Sequence, residues 1–393
     1  MSVFLKSLAT LASVAAAFAA DPAPRLTVHE WGTFTTVASE DGSSVPWVSL
    51  ERPADLPCFV NHLTAQCVKC GASRVRMETP VVYFYSPQPL TASVHVDLPS
   101  GLITEWYPKA TVQSSLSPGY TYQGDGNVEW TPVQVVPGAD PAYPNTGDGS
   151  HYYAARETDS APLRVGDEPE KVLFYRGIAN FQVPLAARFL ANGRLHVRNT
   201  GEYPIEFAVV FENRGGKAGY RMLRNFRGEA VVDSPELNAG ADPVRQELEQ
   251  SLTLAGLYPK EAAAMIATWG DSWFAEGMRI FYAMPRPFVD RELPMRISPR
   301  PGTLERVFVG RVELLSPAMR ETVEAALASG DTKVLAGCSR FLRPWLEQIR
   351  LRSGGVRISP AAARYMADTE KALSQGASAP CRAEPLTLPT DQR

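Results

Sequence analysis

The chain has 393 residues, 45% of them hydrophobic and 21% charged, ordinary proportions for a globular protein. Its 39 basic and 42 acidic side chains nearly cancel, to a formal charge of −3. With the basic residues scattered among acidic ones, the chain lacks the electrostatic footprint of a nucleic-acid binder, and an anionic membrane surface is disfavoured as a partner.

Residues 1–20 read MSVFLKSLATLASVAAAFAA: Lys6, then an apolar stretch from Leu8, then small residues at Ala17 and Ala19. That is the charged, apolar, small-residue order of a secretory signal peptide. The expected mature chain starts at Ala20 or Asp21. It works in the periplasm of a Gram-negative cell or is otherwise secreted, where disulfides persist. No later apolar run is long enough to span a bilayer, so no membrane span is expected. The remaining length exceeds one ordinary hydrophobic core and predicts roughly two domains.

Along the chain, Leu26–Phe34 reads as a strand. Val81–Tyr85, Ala92–Leu98, Lys171–Arg176, Arg194–Arg198 and Ile205–Phe211 are further β-branched or alternating runs between Gly/Pro-rich turns. They predict an antiparallel β-sandwich over 21–235. Within it, 105–159 is rich in Pro, Gly, Asp, Tyr and Trp, the composition of a long functional loop interrupted by strand around Glu129–Val136. From 236 to 393 helical patterns take over. Asp242-Pro243 opens the first and Gly256 ends it. The second starts near Pro259 with Met265, Trp269 and Trp273 stacked along one side as packing residues. Ser316-Pro317, Asp331 and Ser359-Pro360 open three more. Strand signals return at Arg279–Met284, Leu293–Ile297 and Glu305–Leu315. If these join the N-terminal sheets, the two parts form one interlocked unit. The expected fold class is α+β, a β-sandwich followed by a mixed helical and strand region.

The segments HEWGTF (29–34), VRMETPVVYFY (75–85), EWYP (105–108), HYYAARETD (151–159) and VFVGRVE (307–313) together resemble an uncharacterised family of exported bacterial proteins. The resemblance runs over nearly the whole mature chain. It implies a single shared architecture and carries no assigned activity.

Familiar catalytic signatures are missing. His29-Glu30 is not followed by a second histidine at Thr33, which removes the metalloprotease helix. There is no nucleophile elbow and no phosphate-binding loop. Cys67 and Cys70 are followed by Gly71, which excludes haem attachment. No cofactor is indicated. Asp125-Gly126-Asn127 and Asp148 offer oxygen ligands without completing a calcium loop.

Parity makes Glu30 unusual, because it shares a strand face with Leu26, Val28 and Phe34. A buried carboxylate has to be paired, metal-bound or protonated. Arg176 shares a face with Val172 and Phe174 in the same way. Two readings follow: a Glu30–Arg176 ion pair locking two strands, or a site carboxylate beside an anion-binding arginine. His151, Tyr152, Tyr153, Arg156, Glu157 and Asp159 form a dense polar group. It is either a loop end pinned by hydrogen bonds or the rim of a pocket. His95 and His196 sit on polar parities and are expected to face solvent.

Cys58, His62, Cys67 and Cys70 offer a zinc-type set, but export favours a disulfide there, with Cys338–Cys381 as a second bridge and one thiol left over. The composition and spacing therefore imply an exported binding or envelope protein, with a small-molecule or glycan ligand on the aromatic segment. Its expected ligand-binding residues are His29, Trp106, Tyr152 and Asp159. The alternative is a hydrolase-like enzyme with Glu30 or His151 as general base and Arg156 or Arg176 steadying an anion.

Overall fold

The structure, a computed structural model, describes residues 26–49, 56–63, 72–114, 125–147 and 149–374. The signal-like segment and Cys67, Cys70, Asp148 and Cys381 lie outside the described residues.

In chain order the first strands are β1 (Thr27–Ala38), β2 (Ser44–Val45), β3 (Asn61–His62), β4 (Val75–Tyr85), β5 (Leu90–Leu98), β6 (Gly101–Tyr107) and β7 (Thr111–Gln113). Then come β8 (Gly126–Val135), β9 (Leu163–Val165), β10 (Glu168–Glu170), β11 (Leu173–Ala179), β12 (Leu185–Phe189) and β13 (Leu195–Asn199). The last are β14 (Ile205–Arg214), β15 (Lys217–Phe226), β16 (Glu229–Val232), β17 (Gly277–Ala283), β18 (Met295–Ser298) and β19 (Thr303–Leu314). The helices are α1 (Asp242–Leu254), α2 (Pro259–Thr268), α3 (Arg286–Glu292), α4 (Pro317–Ser329), α5 (Thr332–Gly337), α6 (Ser339–Ser353) and α7 (Pro360–Ser374), with a 3₁₀ turn at His151–Arg156.

The fold is α+β. Its spine is a ten-stranded sheet in the order β15-β14-β17-β19-β1-β4-β11-β6-β3, with β2 beside β1. All its pairings are antiparallel except β1 with β19, which run parallel. β1 and β19 stand side by side although their sequences lie at opposite ends of the chain. The C-terminal strands thus complete the N-terminal sheet, and the boundary expected at 235/236 falls between strands of one sheet.

One face of this sheet packs on two smaller sheets, β10-β9-β8-β5-β18 with β7, and β12-β13-β16. Their shared core includes Val28, Phe34, Val94, Trp130, Val197 and Phe308. The opposite face is covered by α1, α2 and the 3₁₀ turn, around Trp31, Tyr83, Leu248, Met265 and Trp273. Helices α4 to α7 form a third cluster that reaches β1 through Val37.

Because β1 is covered on both sides, nearly every residue in it is buried, and alternation sorts its side chains between the two cores. The glycines of its HEWGTF segment and of VFVGRVE are set by close approach. A Cβ on Gly32 would stand 2.6 Å from the Phe308 ring, and one on Gly310 would stand 2.2 Å from the Tyr282 ring.

Several expected helix limits shift. The second helix stops at Thr268, so Trp269 caps it and Trp273 lies beyond it, although both still pack in the core. The helix expected from Asp331 through Trp345 breaks at Cys338 into α5 and α6. Ser316 caps α4 as expected, its hydroxyl accepting from the Met319 amide at 3.2 Å.

Candidate functional site

The end of β4 and the loop that follows β8 enclose an open cleft of about 590 Å³. Tyr85, Asp140, Tyr143, Asp159 and Lys171 line it, together with Thr27, Ser86 and the hydroxyl-bearing turn Thr158–Ser160. Tyr85 is the last residue of the VVYFY strand, so sheet geometry fixes its backbone. The opposing wall belongs to a loop, and three backbone hydrogen bonds anchor it: Ala161 N to Phe84 O (2.7 Å), Val136 N to Pro162 O (2.9 Å) and Ala139 N to Val136 O (3.2 Å).

A larger clamp holds this loop from behind. Arg156 donates from Nε and Nη2 to Glu170 at 2.9 and 2.5 Å, and from Nη1 to the Pro144 carbonyl at 2.8 Å. Its guanidinium lies 5.0 to 5.9 Å from the rings of Phe59, Tyr143, Tyr152 and Tyr153. Burial works against that charge, yet the hydrogen bonds and charge of Glu170 keep the Arg156 pKa above the ordinary arginine value. Tyr152 adds a hydrogen bond to Glu170 at 3.0 Å. Burial, reinforced by the Glu170 charge, pushes the Tyr143 hydroxyl up to about 12, so it stays protonated in neutral solution.

Behind Tyr85 lies a buried polar chain. Tyr85 donates its hydroxyl to Glu261 Oε1 at 2.8 Å. Glu261 Oε2 accepts from the Tyr258 amide at 2.8 Å and lies 2.8 Å from His29 Nδ1. The local sequence explains the placement. Glu261 is the third residue of α2, where a capping-box carboxylate reaches back to the residue before Pro259. His29 has the opposite parity to Glu30 and points to the helix side of β1. The His29 ring packs 4.4 Å from Tyr258 and 5.5 Å from Tyr85, centroid to centroid. Glu261 is fully buried and His29 is 2% exposed. Burial, with the Glu261 charge next in importance, holds the Tyr85 hydroxyl well above the normal tyrosine range. At the rim Lys260 pairs with Asp159 at 2.5 Å.

The residues singled out from the sequence do not meet in one place. Glu30 is fully buried on the sandwich side, as its parity implied, but its partner is not Arg176. Arg306 Nε donates to Glu30 at 2.5 Å, and Tyr175 donates its hydroxyl to the other oxygen. The reason is register. Arg306 is the parallel cross-strand neighbour of Glu30, and along β11 it is Tyr175 that faces the sandwich. Arg176 points to the other side, where it donates to Thr79 Oγ1 at 3.2 Å.

That side carries a polar strip. Thr35 donates to Glu78 at 2.5 Å, and Arg340 of α6 pairs with the same carboxylate. Thr79 has a left-handed φ of 52°, and the pairing of β4 with both neighbours slips at this level. The bulge re-phases β4, so that Met77 and Val82 both face the sandwich.

His151 is exposed and pairs with Asp271 at 2.9 Å. Glu30, His151 and Arg176 therefore do not converge. Trp106 is half-buried against the sandwich core, and Tyr152 is buried beneath the loop. Asp159 is in the cleft, and His29 lies behind it.

His95, expected to face solvent, bonds Asp97 at 2.9 Å and is only partly exposed. Cys58 is disulfide-bonded, which takes its sulfur out of a zinc set, and His62 is exposed on β3. Among the described residues no group of three or more His, Cys, Asp or Glu is placed to hold a metal ion. The expected Cys338–Cys381 bridge needs correction at its first end. Cys338 is a buried thiol whose sulfur lies 3.3 Å from the Val334 carbonyl, its donor direction along the helix.

Sequence reasoning missed Arg306, Glu261 and Tyr85. Two had readable signals. Arg306 shares the apolar parity of Phe308, Val312 and Leu314, and Glu261 stands at the third helical position after Tyr258-Pro259. The fold and the cleft thus define an α+β protein with a polar, tyrosine-lined recess at one end of its central sheet. No protein-family model matches the chain, and no curated protein matches it.

Proposed function

We propose that the protein is an exported binding protein that seats a neutral, hydroxyl-rich ligand, a glycan of the cell envelope, in the cleft beside Tyr85. One observation carries this reading: the chemistry of the lining. Two tyrosine side chains offer ring faces and hydroxyls, Asp140 and Asp159 offer acceptors, and Lys171 and nearby hydroxyls offer donors. Counting Lys260 on Asp159, two ammonium groups balance two carboxylates, which favours a polyol over a strongly charged ligand. The cleft has the size of a small-ligand site, and its walls are anchored independently of any ligand. Export is supported by the order of residues 1–20. The hydrolase alternative loses one of its two candidate bases, since Glu30 is enclosed by Arg306 and Tyr175 between the sheets.

The test is affinity electrophoresis of the purified chain through gels holding soluble neutral glycans: mixed-linkage β-glucan, xylan, dextran and glycol chitin. We expect at least one to retard the wild type, and the double variant Asp140→Ala/Lys171→Ala to bind it at least tenfold more weakly. Free migration of the wild type through every gel would remove the reading.

A further inference from the structure

We infer that Tyr85 sets the selectivity of the cleft by presenting its hydroxyl to the ligand as an acceptor only, so that the group bound there must carry O–H or N–H. This rests on the cleft reading above. A phenol has one proton to give and lone pairs that can accept. In this site the proton is committed inward, to Glu261 Oε1 at 2.8 Å. The commitment is enforced by what surrounds Glu261. The other carboxylate oxygen is occupied by the Tyr258 amide, a group that can only donate, and by His29 Nδ1. A fully buried carboxylate left without a donor on one oxygen would be costly, and Tyr85 is the donor that meets Oε1. The ring cannot swing to escape, because the rings of His29 and Tyr258 meet it edge to face at 5.5 and 4.9 Å. Tyr85 is partly exposed and lines the cleft, so the remaining lone pair of its oxygen is what a ligand meets. Asp140 and Asp159 on the facing wall are acceptors as well, and the three together select a donor-rich ligand.

The arrangement makes Glu261→Gln an informative substitution. The Tyr258 amide must still find an acceptor, so the new side chain keeps its carbonyl oxygen there and turns its NH2 toward Tyr85. Tyr85 then accepts from within and is free to donate into the cleft. Its polarity toward the ligand is reversed while shape and packing stay close to wild type.

The experiment uses the same glycan gels, each glycan also supplied fully O-methylated, which removes its hydroxyl donors and leaves their oxygens as acceptors. Wild type should strongly prefer the hydroxyl form. Tyr85→Phe should lose about tenfold on the hydroxyl form, the scale of one hydrogen bond, with little change on the methylated form. Glu261→Gln should narrow the wild-type preference about tenfold or more by gaining on the methylated form. If both variants keep the wild-type ratio while Asp140→Ala still weakens binding, the role of Tyr85 is refuted and the cleft stands. If the wild type is not retarded, or Asp140→Ala has no effect, cleft and inference fall together. Should Glu261→Gln not fold, Tyr85→Phe decides alone.

Discussion

Glu30 and Glu261 are both fully buried, and each meets a tyrosine hydroxyl and a nitrogen-bearing side chain. The two sites nevertheless differ in what lies one residue further out. Beyond Glu30 are Tyr175, itself packed on Trp130, and Arg306, which continues to Asp290 at 2.9 Å. That chain ties four elements together, β1, β11, β19 and α3, and Glu30, Tyr175 and Arg306 are all buried. Beyond Glu261 is Tyr85, whose other side faces a cleft. A buried carboxylate is therefore not by itself the mark of a functional centre. What separates the two is whether the group it orients reaches solvent.

The strongest way to break this comparison is at Arg306. Arg306→Ala leaves Glu30 buried with only Tyr175, and should cost about 3–5 kcal/mol in urea unfolding. Glycan retardation of whatever folds should be unchanged. The paired replacement Glu30→Leu/Arg306→Met should recover most of the loss, because an ion pair in an apolar core repays little of its desolvation. Arg306 Nη2 has no hydrogen-bond partner among the described residues, so part of that desolvation goes uncompensated. A single variant as stable as wild type would remove the structural role assigned to Glu30.

Alkaline titration tests both sites at once. Burial holds Tyr175 well above the usual tyrosine value, and the Glu30 charge adds to it. Tyr85 is raised by burial and then by Glu261. Tyr83, Tyr152 and Tyr282 are raised mainly by burial. A tyrosine whose folded pKa exceeds its unfolded one keeps the proton in the native state and gives it up on unfolding. The stability it contributes is fully present below pH ~10 and is lost as pH rises beyond that. Absorbance at 295 nm should show exposed tyrosines ionising near pH ~10. The rest should ionise only in a later cooperative step that coincides with loss of circular dichroism. A smooth titration of every tyrosine with the fold intact would contradict the buried hydroxyl–carboxylate pairs.

Much of this was readable in the residues, within limits set by register. Alternation alone placed Glu30 among hydrocarbon side chains, because a period of two assigns a face without knowing the neighbours. It could not choose the partner. Arg176 carried the same anomaly in its own strand, but whether two such faces meet depends on strand order, and β11 turns Tyr175 to that side instead. The parallel pairing of β1 with β19, 276 residues away in sequence at Glu30 and Arg306, has no local signature. The aromatic stretch 105–159 did contain one wall of the cleft, at Asp140, Tyr143 and Asp159. Its opposite wall came from Tyr85, which read only as the end of a strand. Trp269 and Trp273 kept the spacing of a helix that stops one residue before the first of them, since burial can be satisfied by the turn as well as by the helix.

The smallest expected effect sharpens the boundary of the cleft. The Lys260–Asp159 pair is mostly exposed on both sides, so water and salt screen it, and such pairs contribute between nothing and about 1 kcal/mol. Lys260→Ala should leave the unfolding midpoint almost unmoved. It should, however, leave Asp159 as an uncompensated carboxylate on the cleft wall. If the ligand is a neutral polyol, its retardation should change less than twofold between low and high salt in this variant. If the ligand is instead cationic, removing Lys260 should tighten binding at low salt and lose that gain at high salt, since the added attraction lies within reach of screening ions. The salt response of this one variant thus separates a polyol from an amine, a distinction the arginine and tyrosine variants leave untouched.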